Sequence, residues 1–308
     1  MTKKYAYFVL CLLLGVSHAQ AQTCTEQNAD CVEVGRWSVS LALGYGQHSN
    51  PVKDREDVDI FLLPKISYYG RRFFWETDTL GWTVIDTERH MVNGIATVSY
   101  DQIFFNDNSI GNFSTGSGSG GGNVVSMDYS SDQPTSDADS ESDQEPESDQ
   151  EPESREQTRE LQLDKRRMAI FAGVEYSYFY GPFFYQLQAL SDVSGIHDGI
   201  ELRTALSLMG ALDQQHFGLT IGGEWQDSSV VDYYYGLDAN ETEDKALAYQ
   251  ADAGFSSFIK LDWRLRFNQH WSVRANWKYR HLAPSISASP LVDKQAIHTF
   301  FIGGVYAF

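Results

Sequence analysis

Three shortages stand out in the sequence: cysteine, cationic side chains and long apolar runs. Each excludes a class of protein. Only three cysteines occur in 308 residues. Cys11 lies near the start, and Cys24 and Cys31 stand in "CTEQNADC" with no histidine between them. Two thiols alone make a poor metal site. No metal-spaced His/Cys cluster, phosphate loop or dinucleotide fingerprint appears elsewhere, so no metal or cofactor is expected. Lysine and arginine number 23 against 42 aspartates and glutamates, a formal net charge of −19. Nucleic-acid binding needs cationic surface, so nucleic acid is excluded as a partner. After the first residues there is no apolar run of about eighteen or more, which excludes a helical membrane protein. A soluble exported protein and a β-barrel remain.

The opening "MTKKYAYFVLCLLLGVSHAQAQ" has a basic start (Lys3, Lys4), an apolar run from Tyr5 to Val16, and Ala19-Gln20-Ala21 at its end. That pattern predicts a secretory signal peptide over residues 1–21, cleaved near Ala21 and taking Cys11 with it. Residues 22–36 then form an N-terminal segment. In an oxidising compartment its Cys24 and Cys31 are expected to form a local disulfide.

The negative charge is uneven. Asp128 to Glu160 holds thirteen acidic residues and two arginines, includes the tandem repeat "SDQEPESDQEPES", and follows the Gly/Ser run "STGSGSGGGN". Low hydrophobicity with high charge predicts a disordered insert over 106–164, because it cannot bury enough apolar surface to fold. The remainder is nearly neutral for its size and rich in aromatics.

That remainder alternates. In "WSVRANWKYRH", Trp271, Val273, Ala275, Trp277 and Tyr279 share one face, and Arg274, Lys278 and Arg280 share the other. "WSVSLALGY" sets Trp37, Val39, Leu41, Leu43 and Tyr45 against Ser38, Ser40, Ala42 and Gly44. "IELRTALSLMGAL" sets Ile200, Leu202, Leu206, Leu208 and Leu212 against Glu201, Arg203, Ser207 and Met209. "HFGLTIGGEWQ" sets Phe217, Leu219, Ile221 and Trp225 against His216, Thr220, Glu224 and Gln226. "FIKLDWRLRF" sets Ile259, Leu261, Trp263, Leu265 and Phe267 against Lys260, Asp262, Arg264 and Arg266. Segments of about 9–12 residues suit tilted strands crossing a bilayer. Alternation alone also fits a soluble sandwich. The aromatics that end the apolar faces point to the membrane, as interfacial girdles. The final stretch "HTFFIGGVYAF" keeps Phe300, Ile302, Tyr306 and Phe308 in phase and resembles the C-terminal signal read by the outer-membrane assembly machinery.

Connection lengths give an independent test, since barrels have short periplasmic turns and long external loops. Counting back from Phe308, the loop at 282–294 is long, the turn at Asn268-Gln269-His270 short, the loop at 227–247 long and the turn at Asp213-Gln214-Gln215 short. "SDVSGIHDG" is longer, Gly181-Pro182 short, and the acidic insert very long and so external. Strands are expected near 37–46, 58–69 and 91–105, and "RRFFWETDTLGWTVID" reads as a tight hairpin or one bulged strand. The expected fold is all-β: a closed antiparallel transmembrane β-barrel over 37–308. It has about twelve strands, or about ten as the alternative, because closure favours an even count.

On this reading Glu175, Glu201, Arg203, Glu224, Lys260, Asp262, Arg264, Arg266, Arg274, Lys278 and Arg280 face the lumen. Two readings stay open for them. They form an anion-favouring pore, or an ion-pair network that plugs a small barrel, as buried charges require pairing. Nucleophilic catalysis would need a His–Ser pair with an orienting partner. His197 near Ser194 and Asp198, and His281 near Ser285, lie in loops without a nucleophile motif. No catalytic residue is assigned, and the chain is expected not to be an enzyme.

"FLLPKISYYGRRFFWE", "VVDYYYGLDANETEDKALAYQADAGF" and "SASPLVDKQAIHTFFIGGVYAF" together resemble the MipA/OmpV family of outer-membrane proteins. The matching positions are Pro64, Tyr69, Gly70, Arg71 and Phe73, then Tyr234, Tyr235 and Gly236, then Ser289, Pro290 and Leu291. The resemblance runs from about Gly35 to Phe308, broken by the acidic insert where the family has a modest loop. It implies an outer-membrane barrel surrounded by lipid and lipopolysaccharide and inserted by the assembly machinery. It also implies a scaffold between a murein lytic transglycosylase and a murein synthase; other family members are discussed as porin-like or adhesive.

Overall fold

The computed structural model describes residues 34–99, 101, 104, 166–242 and 244–308. The signal region, Cys24 and Cys31, and the insert at 106–164 lie outside the described residues. Among the described residues twelve strands follow in order: β1 (Trp37–His48), β2 (Val58–Tyr69), β3 (Phe73–Glu76), β4 (Thr79–Asp86), β5 (His90–Val98) and β6 (Ile170–Tyr180). They continue as β7 (Phe183–Asp192), β8 (Ile200–Leu212), β9 (Gln215–Gln226), β10 (Gly254–Arg266), β11 (Trp271–His281) and β12 (Ala296–Ala307). Each pairs antiparallel with its sequence neighbours, and β12 returns to β1, so the barrel closes. A closed barrel satisfies backbone hydrogen bonds between strands, the condition for β-structure in a bilayer.

The seam between first and last strands sets Gly44 opposite Gly303. A Cβ on Gly44 would overlap the carbonyl oxygen of Ile302. Glycine is needed because the two backbones approach too closely for a side chain. The register of β1 on β2 shifts between Leu43 and Gly46, an irregularity of the kind that bends a wall. The stretch 71–90 adopts the tight hairpin, and with it the even count of twelve. Its first strand, β3, is only four residues long and pairs with β2 at Ser67–Tyr69.

The alternation sorts residues by environment. Leu43 is 61% exposed, Val174 53%, Ile221 51% and Ile302 53%, all on the outer wall. Inner-wall positions beside them are closed off: Glu175, Thr220 and Phe301 are buried. A broad apolar exterior around a closed barrel is the surface that a hydrocarbon solvent requires.

The upper connections depart from the sequence reading. The strand expected over 91–105 ends at Val98, and Asp101 and Phe104 are both buried. Phe104 stacks on His48 at 5.2 Å between ring centroids, and its carbonyl accepts from Asn50 Nδ2 at 3.2 Å. These contacts pull the chain inward where a straight strand would have run on. The loops expected at 227–247 and 282–294 carry short helices, α1 (Ser228–Tyr235) and α2 (Pro284–Ser287). Asp227 caps α1 by accepting from the Val230 amide at 3.1 Å. Val230, Val231, Tyr234, Tyr235, Leu282 and Ile286 are fully buried, packed with the inner-wall residues Ile95, Phe171, Leu190 and Ile297. Burial contributes roughly 1.5–3 kcal/mol for each large apolar side chain among them. Both connections therefore fold into the barrel mouth as an apolar stopper instead of standing in water.

Candidate functional site

Beneath the stopper, the inner wall carries three polar assemblies. The first joins stopper to wall. Asp101 accepts from Tyr235 Oη at 3.0 Å and from Gln226 Nε2 at 2.6 Å, and pairs with Arg280 at 3.4 Å. Arg280 also pairs with Glu224 at 2.9 Å. Glu224 lies 3.5 Å from Arg203, which pairs in turn with Glu201. Alternating charges thus run from Asp101 through Arg280, Glu224 and Arg203 to Glu201, which is how buried ions offset their lost hydration. Burial pushes the Tyr235 phenol well above its ordinary value, so it stays a donor to Asp101.

The second assembly lies on β10 and β11. Asp262 binds Lys260 and Arg274, each at 3.0 Å. Arg264 stands opposite Arg274 in register, and Arg266 opposite Ser272. Lys278 sits over the Phe258 ring, 4.7 Å from its centroid. These two strands carry six cations and the single carboxylate Asp262; Arg280 draws its carboxylates, Asp101 and Glu224, from outside them.

The third assembly surrounds Glu175 on β6. Asn93 Nδ2 donates to one carboxylate oxygen at 2.9 Å. Gln186 and Gln188 donate to the other at 2.6 and 2.7 Å. The structure thus separates the eleven charged residues into three groups. One holds Glu201, Arg203, Glu224 and Arg280. The second holds Lys260, Asp262, Arg264, Arg266, Arg274 and Lys278. Glu175 stands apart among amides.

Sequence reasoning missed Asp101, Asn93, Gln186 and Gln188, and singled out Tyr235 only as a motif position, not as a partner of the lumen charges. Asn93, Gln186 and Gln188 fall on inner-wall phase with Glu175, a signal that period two makes available. Asp101 and Tyr235 carry no such signal, because only inward folding of their loops brings them to Arg280. The motif pieces "YYG" and "SPL" do meet: Ser289 Oγ donates to the Tyr235 carbonyl at 2.6 Å.

The histidine loops hold no nucleophile pair among the described residues. Ser194 Oγ donates to Asp192 at 2.6 Å and accepts from the Ile170 amide. His197 Nδ1 accepts from the Gly199 amide at 3.0 Å. Asp192 gathers the amides of Ser194, Ile196, His197 and Asp198, so this loop is a brace around one carboxylate. His281 is exposed at the end of β11. At the terminus, Phe300, Ile302 and Phe308 are exposed on the outer wall, and Tyr306 packs edge-on against Trp271 at 5.0 Å.

A closed twelve-stranded barrel with an apolar exterior and an ion-paired interior defines an outer-membrane β-barrel protein. The model of the family "MltA-interacting protein MipA" matches residues 39–308. The chain belongs to that family. The MltA-interacting protein of Escherichia coli K12 is 26% identical over 151 residues, covering 47% of this chain and 59% of that protein. The "Putative outer membrane protein YiaT" of the same strain is 27% identical over 150 residues, covering 48% and 60%. The chain therefore spans about three-fifths of the length of these relatives. Among solved structures, the NanC porin is similar at 7% identity and a TM-score of 0.40, over 87% of this chain and 98% of that one. An outer-membrane channel of Pseudomonas putida F1 is similar at 8% identity and a TM-score of 0.37, over 92% and 99%.

Proposed function

We propose that this barrel is a non-enzymatic, non-conducting membrane anchor. It holds murein-remodelling enzymes, a lytic transglycosylase and a murein synthase, at the inner face of the outer membrane. The observation that carries the reading is the apolar stopper. Two connections pack their large apolar side chains against the inner wall at one mouth, an arrangement that supports a closed lumen and a rigid post. The name of the E. coli relative, MltA-interacting protein, supports the choice of partner. The periplasmic turns at Gly181–Pro182 and Asn268–His270 are short, so docking falls on the lower rim, where Arg71, Arg72 and Arg89 are exposed. In planar bilayers the refolded protein gives no steady conductance, and it retains a purified lytic transglycosylase on a column. Open-channel conductance with no enzyme retained overturns the reading.

The cation-rich β10–β11 wall favours a second reading, a small channel for anionic solutes. That reading requires steady, anion-selective conductance from the unmodified protein.

A further inference from the structure

Glu175 is unlike the other buried carboxylates of the lumen. Among the described residues no lysine, arginine or histidine lies within ion-pairing distance of it; its partners are the three amides alone. Arg203 stands opposite Gln188 in register, but its guanidinium is drawn to Glu201 and Glu224. Each amide turns its NH2 to the Glu175 carboxylate, and this leaves carbonyl oxygens behind. Asn93 Oδ1 and Gln188 Oε1 are buried without a hydrogen-bond partner, on residues 2% and 3% exposed. A carbonyl oxygen shares its carbon with the donating nitrogen, so both oxygens stay within about 5 Å of the carboxylate.

The unfilled acceptors can be counted. A carboxylate oxygen has two lone-pair sites. The oxygen facing Gln186 and Gln188 uses both; the one facing Asn93 uses one. One carboxylate lone pair and two amide oxygens therefore remain, beside a negative charge with no cation on it. A primary ammonium group brings one positive charge and three N–H donors. Divalent metals want several anionic oxygens, and among the described residues no group of three His, Cys, Asp or Glu side chains forms.

We infer that Glu175, Asn93 and Gln188 form a recognition site for the primary ammonium group of a small amine. With the outer mouth stoppered, the amine enters from the periplasmic side. The site is independent of the anchor role proposed above.

The test uses the refolded full barrel in detergent micelles, titrated calorimetrically with methylammonium and with tetramethylammonium. Methylammonium binds saturably. Tetramethylammonium carries the same charge without N–H donors and binds about tenfold more weakly or worse, the scale of a lost charged hydrogen bond. Glu175→Gln abolishes methylammonium binding while heat-modifiable gel mobility persists. If Glu175→Gln fails to fold, Asn93→Ala serves, since it keeps the charge while removing both the Oδ1 acceptor and the amide that orients the carboxylate, and it weakens binding by about tenfold. Absence of saturable methylammonium binding, equal binding of the two cations, or unchanged binding in both variants overturns the inference and leaves Glu175 a carboxylate held by amides alone.

Discussion

Replacing Ala275 with arginine tests the lipid-facing assignment of the whole outer wall. Ala275 is central in β11, in register with Trp263 on one side and Ile302 on the other. It belongs to a shallow outer groove of about 610 Å³ lined also by Leu208, Phe217, Leu261 and Trp277. Asp262, in register with the next residue Asn276, points inward to Lys260 and Arg274. A guanidinium on the outer face must either stay in hydrocarbon or stretch past Trp263 or Trp277 to reach a headgroup. The cost for arginine at mid-bilayer in a β-barrel is about 2–4 kcal/mol. At about 1.4 kcal/mol per tenfold, this is a loss of roughly 30- to 700-fold in the folding equilibrium. The assay is reversible denaturant unfolding in lipid vesicles, followed by gel mobility without heating. Asn276→Gln, one residue along and facing the lumen opposite Asp262, is the control: it adds no charge and changes stability little. If Ala275→Arg matches the parent protein in vesicles, the outer wall does not face lipid and the bilayer reading fails.

Other consequences can be measured on the same preparation. Gly44→Val places a branched side chain against the Ile302 carbonyl and prevents seam closure, so the heat-modifiable form disappears; a normally shifting variant would contradict the close approach. Tyr235→Phe removes the donor to Asp101 beneath the stopper and lowers stability by about 1–3 kcal/mol, read as a shift in the denaturation midpoint. Burial lowers the His197 imidazole below its ordinary value, although Asp192 and Asp227 oppose the shift. The loop around it is therefore fully stable above the unfolded value of about 6.5 and weakens as pH falls below it. Amide exchange at Ile196–Gly199, corrected for its intrinsic rate, speeds up at about pH 5 relative to about pH 7.5; no change would mean that His197 titrates normally.

The wall was legible because membrane strands obey a local rule. Trp271, Val273 and Trp277 alternate with Arg274 and Lys278 whatever the rest of the chain does. The parity of a closed antiparallel barrel then selected the hairpin over the bulged strand in residues 71–90. The stopper was not legible. "SSVVDYYY" has no long amphipathic period, and its tyrosines suit an exposed loop as well as a buried helix. Burial of Tyr234 and Tyr235 depends on Leu282, Ile286 and Leu291, far along the chain, and on a cavity that exists only after closure. Asp101 was hidden for the same reason: it lies just past a strand, and its partners Gln226 and Arg280 belong to β9 and β11.

The pairing of β1 with β12 dictates the timing of assembly. Ser40 aligns with Ala307, so the wall stays open until the segment ending there is in place. Until then two rows of unpaired amides and carbonyls face outward, and in hydrocarbon each costs several kcal/mol. Nor does an eleven-strand intermediate offer a way out. Without β12, β1 would meet β11 running in the same direction, and the antiparallel ladder has no such register. A wall that closes by antiparallel pairing throughout therefore holds an even number of strands. A nascent wall must either borrow an edge from another barrel or remain outside the bilayer core until its two most distant segments find one another.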